Sequence, residues 1–123
     1  MWARDRRALG KTGEGMAIDF LTASGYKIIE RNFRTPFGEI DAIARKDGAL
    51  VFVETKTRLS ESIGPPFLSI TRRKERKMIQ NALYYLVKKG LADRSWRIDV
   101  ISVKLASPDR AESIEILKNA VEE

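Results

Sequence analysis

Asp47-Gly48, set between the strand-like runs Glu39 to Arg45 and Leu50 to Arg58, commits the centre of this chain to an antiparallel hairpin. A two-residue type I′ turn needs positive φ at both positions, and this pair tolerates it. The turn sets Lys46 against Ala49, and counting outward in step sets Asp41 against Glu54 and Glu39 against Lys56. A three-residue loop would slip that register by one and turn the charges to opposite faces. Period two along Val51-Phe-Val-Glu-Thr-Lys-Thr-Arg58 also places Glu54 and Lys56 on one face. Opposed carboxylates repel each other in a sheet, so the hairpin calls for something that compensates them. A divalent cation does so directly, and a lysine two residues further on is what metal-assisted phosphodiester cleavage requires.

The flanking elements follow from hydrophobic spacing. Arg4 to Ser24 has helical period, with Leu9, Met16, Ala17, Phe20 and Leu21 on the apolar arc and Gly25 as the stop. Tyr26 to Arg34 reads as a strand and Thr35 to Gly38 as a turn. After Gly64-Pro-Pro66, Thr71 to Lys89 reads as a long helix whose core side is Met78, Ile79, Ala82, Leu83 and Leu86, ending at Gly90. Trp96 to Leu105 and Ser113 to Leu117 complete the set, and Trp2 and Trp96 read as packing residues. The order is αβββαββ, an α/β fold with a mixed central sheet flanked by helices. One domain over residues 1–123 is expected, with 107–123 as a peripheral acidic segment.

Residue usage narrows the chemistry. The chain has no cysteine and no histidine, which leaves carboxylates, Lys, Arg, Tyr and hydroxyls to act, and oxygen-bound Mg²⁺ or Mn²⁺ as the metals. The longest apolar run, Ala82 to Val87, is far below the roughly 20 residues of a membrane span. A cytoplasmic protein without a membrane partner is expected. Residues 1–106 carry 21 basic and 12 acidic side chains, and residues 107–123 carry two and five, so a net charge of +9 lies in the body and −3 in the tail. A body that basic suits a polyanion, as it also suits simple solubility.

Two further groups of residues bear on the site. Glu14 falls at the edge of the sheet-facing arc of the first helix, where an unpartnered carboxylate is costly, and Gly10 and Gly13 beside it leave room for close approach. On the second helix Arg73, Lys77, Gln80, Tyr84 and Lys88 fall in one arc, a track for a phosphate backbone or an ordinary solvated face. Arg97 and Asp99 share a strand face and read as a mutually neutralising pair.

Asp41 followed by Glu54-Thr55-Lys56, after a helix carrying Glu14, resembles the PD-(D/E)XK nuclease signature of the restriction-endonuclease-like fold. Gly13-Glu14, Asn32-Phe-Arg34, Gly38-Glu-Ile-Asp41, Val51 to Arg58 and Arg97-Ile-Asp-Val100 together resemble the YraN-like family of small bacterial proteins, themselves similar to archaeal Holliday-junction resolvases. The resemblance spans about residues 8 to 105. It implies that Asp41 and Glu54 bind Mg²⁺ with the Thr55 backbone carbonyl, that Lys56 is catalytic, and that Glu14 completes the site. Gln80 and Tyr84 are similar to a Q-x-x-x-Y element of some nucleases in that superfamily. The departures are Ile40 before Asp41, where proline is usual, and Thr55 where valine is more usual.

Three functions are expected to compete. The first is a Mg²⁺-dependent endonuclease acting on structured or branched DNA, with Glu14, Asp41, Glu54 and Lys56 catalytic and Arg58 with the second-helix stripe holding nucleic acid, DNA before RNA. The second is a non-catalytic nucleic-acid-binding module, and the third is a protein-interaction domain in which the charge pairs are ordinary surface. A junction resolvase ordinarily needs a homodimer for its two cuts, and no stretch of the sequence identifies a dimer face.

Overall fold

The computed structural model describes residues 5–67 and 70–121; Trp2 and Arg4 lie outside them. The elements are α1 (Arg6–Ala23), β1 (Lys27–Thr35), β2 (Gly38–Lys46), β3 (Ala49–Leu59), α2 (Arg72–Lys88), β4 (Trp96–Ser107) and β5 (Arg110–Leu117). This is the αβββαββ order expected. The strands form one sheet in sequence order. β3 and β4 are parallel because α2 carries the chain back across the sheet, and the other neighbours are antiparallel. The mixed architecture is consistent with the restriction-endonuclease-like fold. No helix among the described residues is long and apolar enough to cross a membrane.

The hairpin forms as its turn chemistry dictates. Asp47 and Gly48 take φ of 52° and 78°, and the register runs without slip from Lys46↔Ala49 to Ala42↔Val53. Leu50 and Phe52 then face the cluster under α2, and Val51 and Val53 the cluster under α1, so β3 is apolar on both faces because both are covered.

Each helix is capped by a side chain. The Asp5 carboxylate accepts the Ala8 N–H at 3.0 Å, and the Thr71 hydroxyl accepts the Lys74 N–H at 3.2 Å. α1 buries Gly13, Ala17 and Leu21, four residues apart. A Cβ on Gly13 would lie 2.8 Å from the Thr57 Cβ and closer still to its hydroxyl, whereas a Cβ on Gly10 meets nothing within 4 Å. The two glycines therefore respond oppositely to alanine. Gly10→Ala is expected to stabilise the fold by about 0.5–1 kcal/mol, and Gly13→Ala to destabilise it by about 1–3 kcal/mol through forced separation of α1 and β3. Urea unfolding of the two variants checks the sign of each.

α2 buries Met78, Ala82 and Leu86 as expected, but its core face extends toward Asn81 and Tyr85 rather than Leu83. Met78, Asn81, Ala82, Tyr85 and Leu86 are buried, while Leu83, expected in the core, is 44% exposed and Ile79 only partly buried. The Tyr85 hydroxyl donates to Glu30 at 2.7 Å, and its ring meets Phe33 and Phe52 edge-on at 5.0 and 5.6 Å. Asn81 accepts from the Thr35 hydroxyl. The helix turns to the side where these polar tips find partners, and an aliphatic side chain is displaced outward. Trp96 packs edge-on against Phe52 at 5.9 Å, the packing role expected of it.

Arg97 and Asp99 pair as expected, but within a larger node. Asp99 is fully buried. Its carboxylate accepts from Arg97 Nε at 3.0 Å, the Tyr26 hydroxyl at 2.8 Å and the Asn119 N–H at 2.8 Å. Burial and then Asp99 push the Tyr26 hydroxyl up to about 12. The node ties the start of β1 and the chain after β5 to β4.

Candidate active site

The site begins where strand alternation fails. Ile40 and Ile43 both pack with the α2 cluster, while Ala42 between them packs with the α1 cluster, so β2 changes face at Asp41. Across on β1, Asn32 has φ of 52°, a left-handed conformation that asparagine tolerates, between the pairs Arg31↔Ala42 and Phe33↔Ile40. The β2–β3 ladder ends at Ala42↔Val53. Half-buried Asp41 then takes the Thr55 N–H on its carboxylate at 2.7 Å. The expected ladder pair Asp41–Glu54 is therefore not made, because the Asp41 side chain substitutes for the backbone acceptor. The expected facing of Glu39 and Lys56 is not made either; Glu39 lies opposite Arg34 of β1, and Lys56 beside Ser102 of β4.

What converges is a different set of acids. Glu14, Glu39 and Asp41 each offer a carboxylate oxygen within 4.8 Å of the others. The Asn32 amide donates to Glu14 at 2.9 Å and to Glu39 at 3.0 Å, so the left-handed residue braces two of the three. Burial first, then the Glu54 charge, push the Asp41 carboxyl up to about 8; Glu14 and Glu39 add to this and the Thr55 N–H opposes it. Glu54 is thus a neighbour of Asp41, yet its own carboxylate is held by Lys74 of α2 at 2.7 Å and is only 15% exposed.

The remaining expected residues are dispersed. Thr55 and Lys56 line a cleft with Gly10 and Glu14. Arg58 donates to the Gly64 carbonyl at 2.9 Å, a tether for the chain after β3. Arg73, Lys77, Gln80 and Lys88 are exposed on α2, and Tyr84 sits 6.4 Å from the Phe33 ring with the Lys88 ammonium 5.7 Å from its own. No hydrogen bond or ion pair among the described residues joins that stripe to the carboxylates.

Glu39, Asn32 and Lys74 were not singled out for a role by the sequence. Glu39 had a usable signal, two residues before Asp41 on a strand. Asn32 had only its place in the Asn32-Phe-Arg34 motif and Lys74 had no signal, because a left-handed strand residue and a crossover helix's approach are tertiary facts. The donor set of Glu14, Glu39 and Asp41 is all oxygen and of one charge, which fits a hard cation such as Mg²⁺ or Mn²⁺. The nearest compensating side chain, Arg34, stands 4.0 Å from the second oxygen of Glu39 and is 89% exposed.

Comparison with known proteins follows the same stretch of chain. The sequence model of the family described as "Uncharacterised protein family UPF0102" matches residues 13–103. A UPF0102 protein of Moorella thermoacetica is 44% identical over 115 residues, 94% of this chain and 96% of its own length. One of Desulfosudis oleivorans is 46% identical over 115 residues, covering 94% and 90%. One of Geotalea uraniireducens is 43% identical over 118 residues, covering 96% and 92%.

Proposed function

The chain belongs to the UPF0102 family, and from its site we propose that it is a cytoplasmic, divalent-cation-dependent endonuclease of the PD-(D/E)XK kind, hydrolysing phosphodiester bonds in structured or branched DNA. The observation that carries this is the convergence of Glu14, Glu39 and Asp41 with a raised Asp41 pKa. A fold bears that electrostatic cost where a cation or a reaction uses it.

Glu14, Glu39 and Asp41 would hold Mg²⁺ or Mn²⁺, with Glu54 and the Thr55 carbonyl beside them. When bound, the ion supplies Lewis acidity toward a phosphate oxygen and lowers the pKa of an attacking water. Asn32 fixes the rotamers of Glu14 and Glu39, and the Thr55 N–H fixes that of Asp41. Lys74 holds Glu54 in place. Lys56 in the adjoining cleft brings an ammonium group to the charge that develops on the phosphate. Arg58, Arg73, Lys77, Gln80, Tyr84 and Lys88 are the side chains that the nuclease reading assigns to the nucleic acid.

A second reading, a nucleic-acid-binding module without catalysis, rests on the basic surface alone. Cleavage assays separate the two. With Mg²⁺ or Mn²⁺ and labelled duplex, single-stranded, flap and four-way DNA and RNA, the parent is expected to cut at least one branched DNA, and Asp41→Asn and Lys56→Ala to cut none at a comparable rate. Binding by all three proteins with no cleavage by the parent rejects the nuclease.

A further inference from the structure

Between the first half of α1 and β1 lies a cleft of about 770 Å³ whose walls carry Arg6, Arg7, Lys11, Arg31 and Arg34 and take in two of the carboxylates, Glu14 and Glu39. We propose that this cleft is the track for the phosphodiester backbone that leads to the acidic site, an inference that rests on the nucleic-acid reading of that site and gives it a direction.

The chain builds the cleft from two periodicities. Arg7, Lys11 and Glu14 stand at i, i+4 and i+7 on α1, so two cations and one acid of the site share a helix face. Arg31 precedes Asn32 on β1 and Arg34 follows two residues after it, and Asn32 bonds Glu14 and Glu39. The cations therefore share one cleft with Glu14 and Glu39, through which it adjoins Asp41. Gly10 forms part of the floor, with open space where a Cβ would stand.

Among the described residues, four of these five cations enter no ion pair. Lys74, Lys89, Arg97 and Lys104 are each matched to a carboxylate. In the cleft Arg34 stands 4.0 Å from Glu39; Arg6, Arg7, Lys11 and Arg31 enter no ion pair among the described residues. Arg6 and Arg7 moreover occupy the first turn of α1, where the helix dipole disfavours positive charge and the Asp5 carboxylate at the cap is engaged by the Ala8 N–H. Their placement runs against helix stability and suits an external anion. A repeating anion fits better than a single one, because five cations from two elements, Arg6 to Lys11 of α1 and Arg31 to Arg34 of β1, line the cleft.

Anisotropy titration of a labelled four-way DNA junction in EDTA, over a series of KCl concentrations, tests this without cleavage. The Arg6→Gln/Arg7→Gln/Lys11→Gln protein is expected to bind at least about tenfold more weakly, with the salt slope reduced by about 2 to 3, near 0.9 for each lost phosphate contact. Arg45→Gln/Arg94→Gln/Arg110→Gln removes the same charge from exposed positions elsewhere and is expected to change affinity less than about threefold. The first variant should unfold at or above the temperature of the parent, since its first turn is relieved of charge. Parent-like binding by the cleft variant, or an equal loss in the control, overturns the proposal. Cleavage failing for the parent with every metal, while the cleft variant still loses binding, leaves the track standing and removes the nuclease. A parent that binds no junction removes both.

Discussion

Asp41→Asn is expected to cut cleavage by about 10²–10³-fold or more and, in metal-free buffer, to make the protein more stable than the parent. The two effects have one origin. Burial and the charges of Glu54, Glu14 and Glu39 push the Asp41 carboxyl from 3.8 up to about 8. Between those values the folded chain binds a proton that the unfolded chain has released, so this group's contribution to stability falls as pH rises through that window. Even a quarter of that displacement is on the order of 1–2 kcal/mol. Asparagine carries no charge and keeps an acceptor for the Thr55 N–H, so it removes the penalty without orphaning that donor. Urea unfolding in EDTA at intervals from pH 4 to 8 should show the parent weakening relative to the variant as pH rises. A parent more stable than Asp41→Asn at the alkaline end contradicts this.

Asp99→Ala is expected to cost about 3–5 kcal/mol, the usual penalty for leaving a buried charge without its partner. The carboxylate is fully buried and takes donors from Arg97, Tyr26 and Asn119 at once. Its removal strands the Arg97 guanidinium, one of whose nitrogens is already buried without a partner, and a backbone N–H that fastens the chain after β5. Replacing both charges, as Arg97→Met/Asp99→Leu, should recover much of the loss. A single-variant cost below about 1 kcal/mol would show that the node is better hydrated than its geometry indicates.

The hairpin was legible because its information is local. Asp47-Gly48 sets the turn, the turn sets the register, and the register holds to Ala42↔Val53. Beyond that point the sequence misleads, since a strict period of two cannot express a strand that changes face at Asp41 opposite a left-handed Asn32. Glu14 was placed correctly at the edge of the buried arc because helical spacing alone decides it. The face of α2 was legible at Met78, Ala82 and Leu86 and misjudged at Leu83 for the opposite reason. Ile79 and Leu83 look like core beside Asn81 and Tyr85, and only Thr35 and Glu30, far away in the chain, make the polar pair worth burying. The cleft cations were invisible as a group because α1 and β1 bring them together only in three dimensions.

The central claim is that Glu14, Glu39 and Asp41 hold a divalent cation, and calorimetric titration of Mn²⁺ into the metal-free protein tests it most directly. The parent is expected to bind Mn²⁺, with affinity lowered about tenfold or more in both Asp41→Asn and Glu39→Gln. A parent that takes up no Mn²⁺, or two variants that bind it as the parent does, would contradict the account.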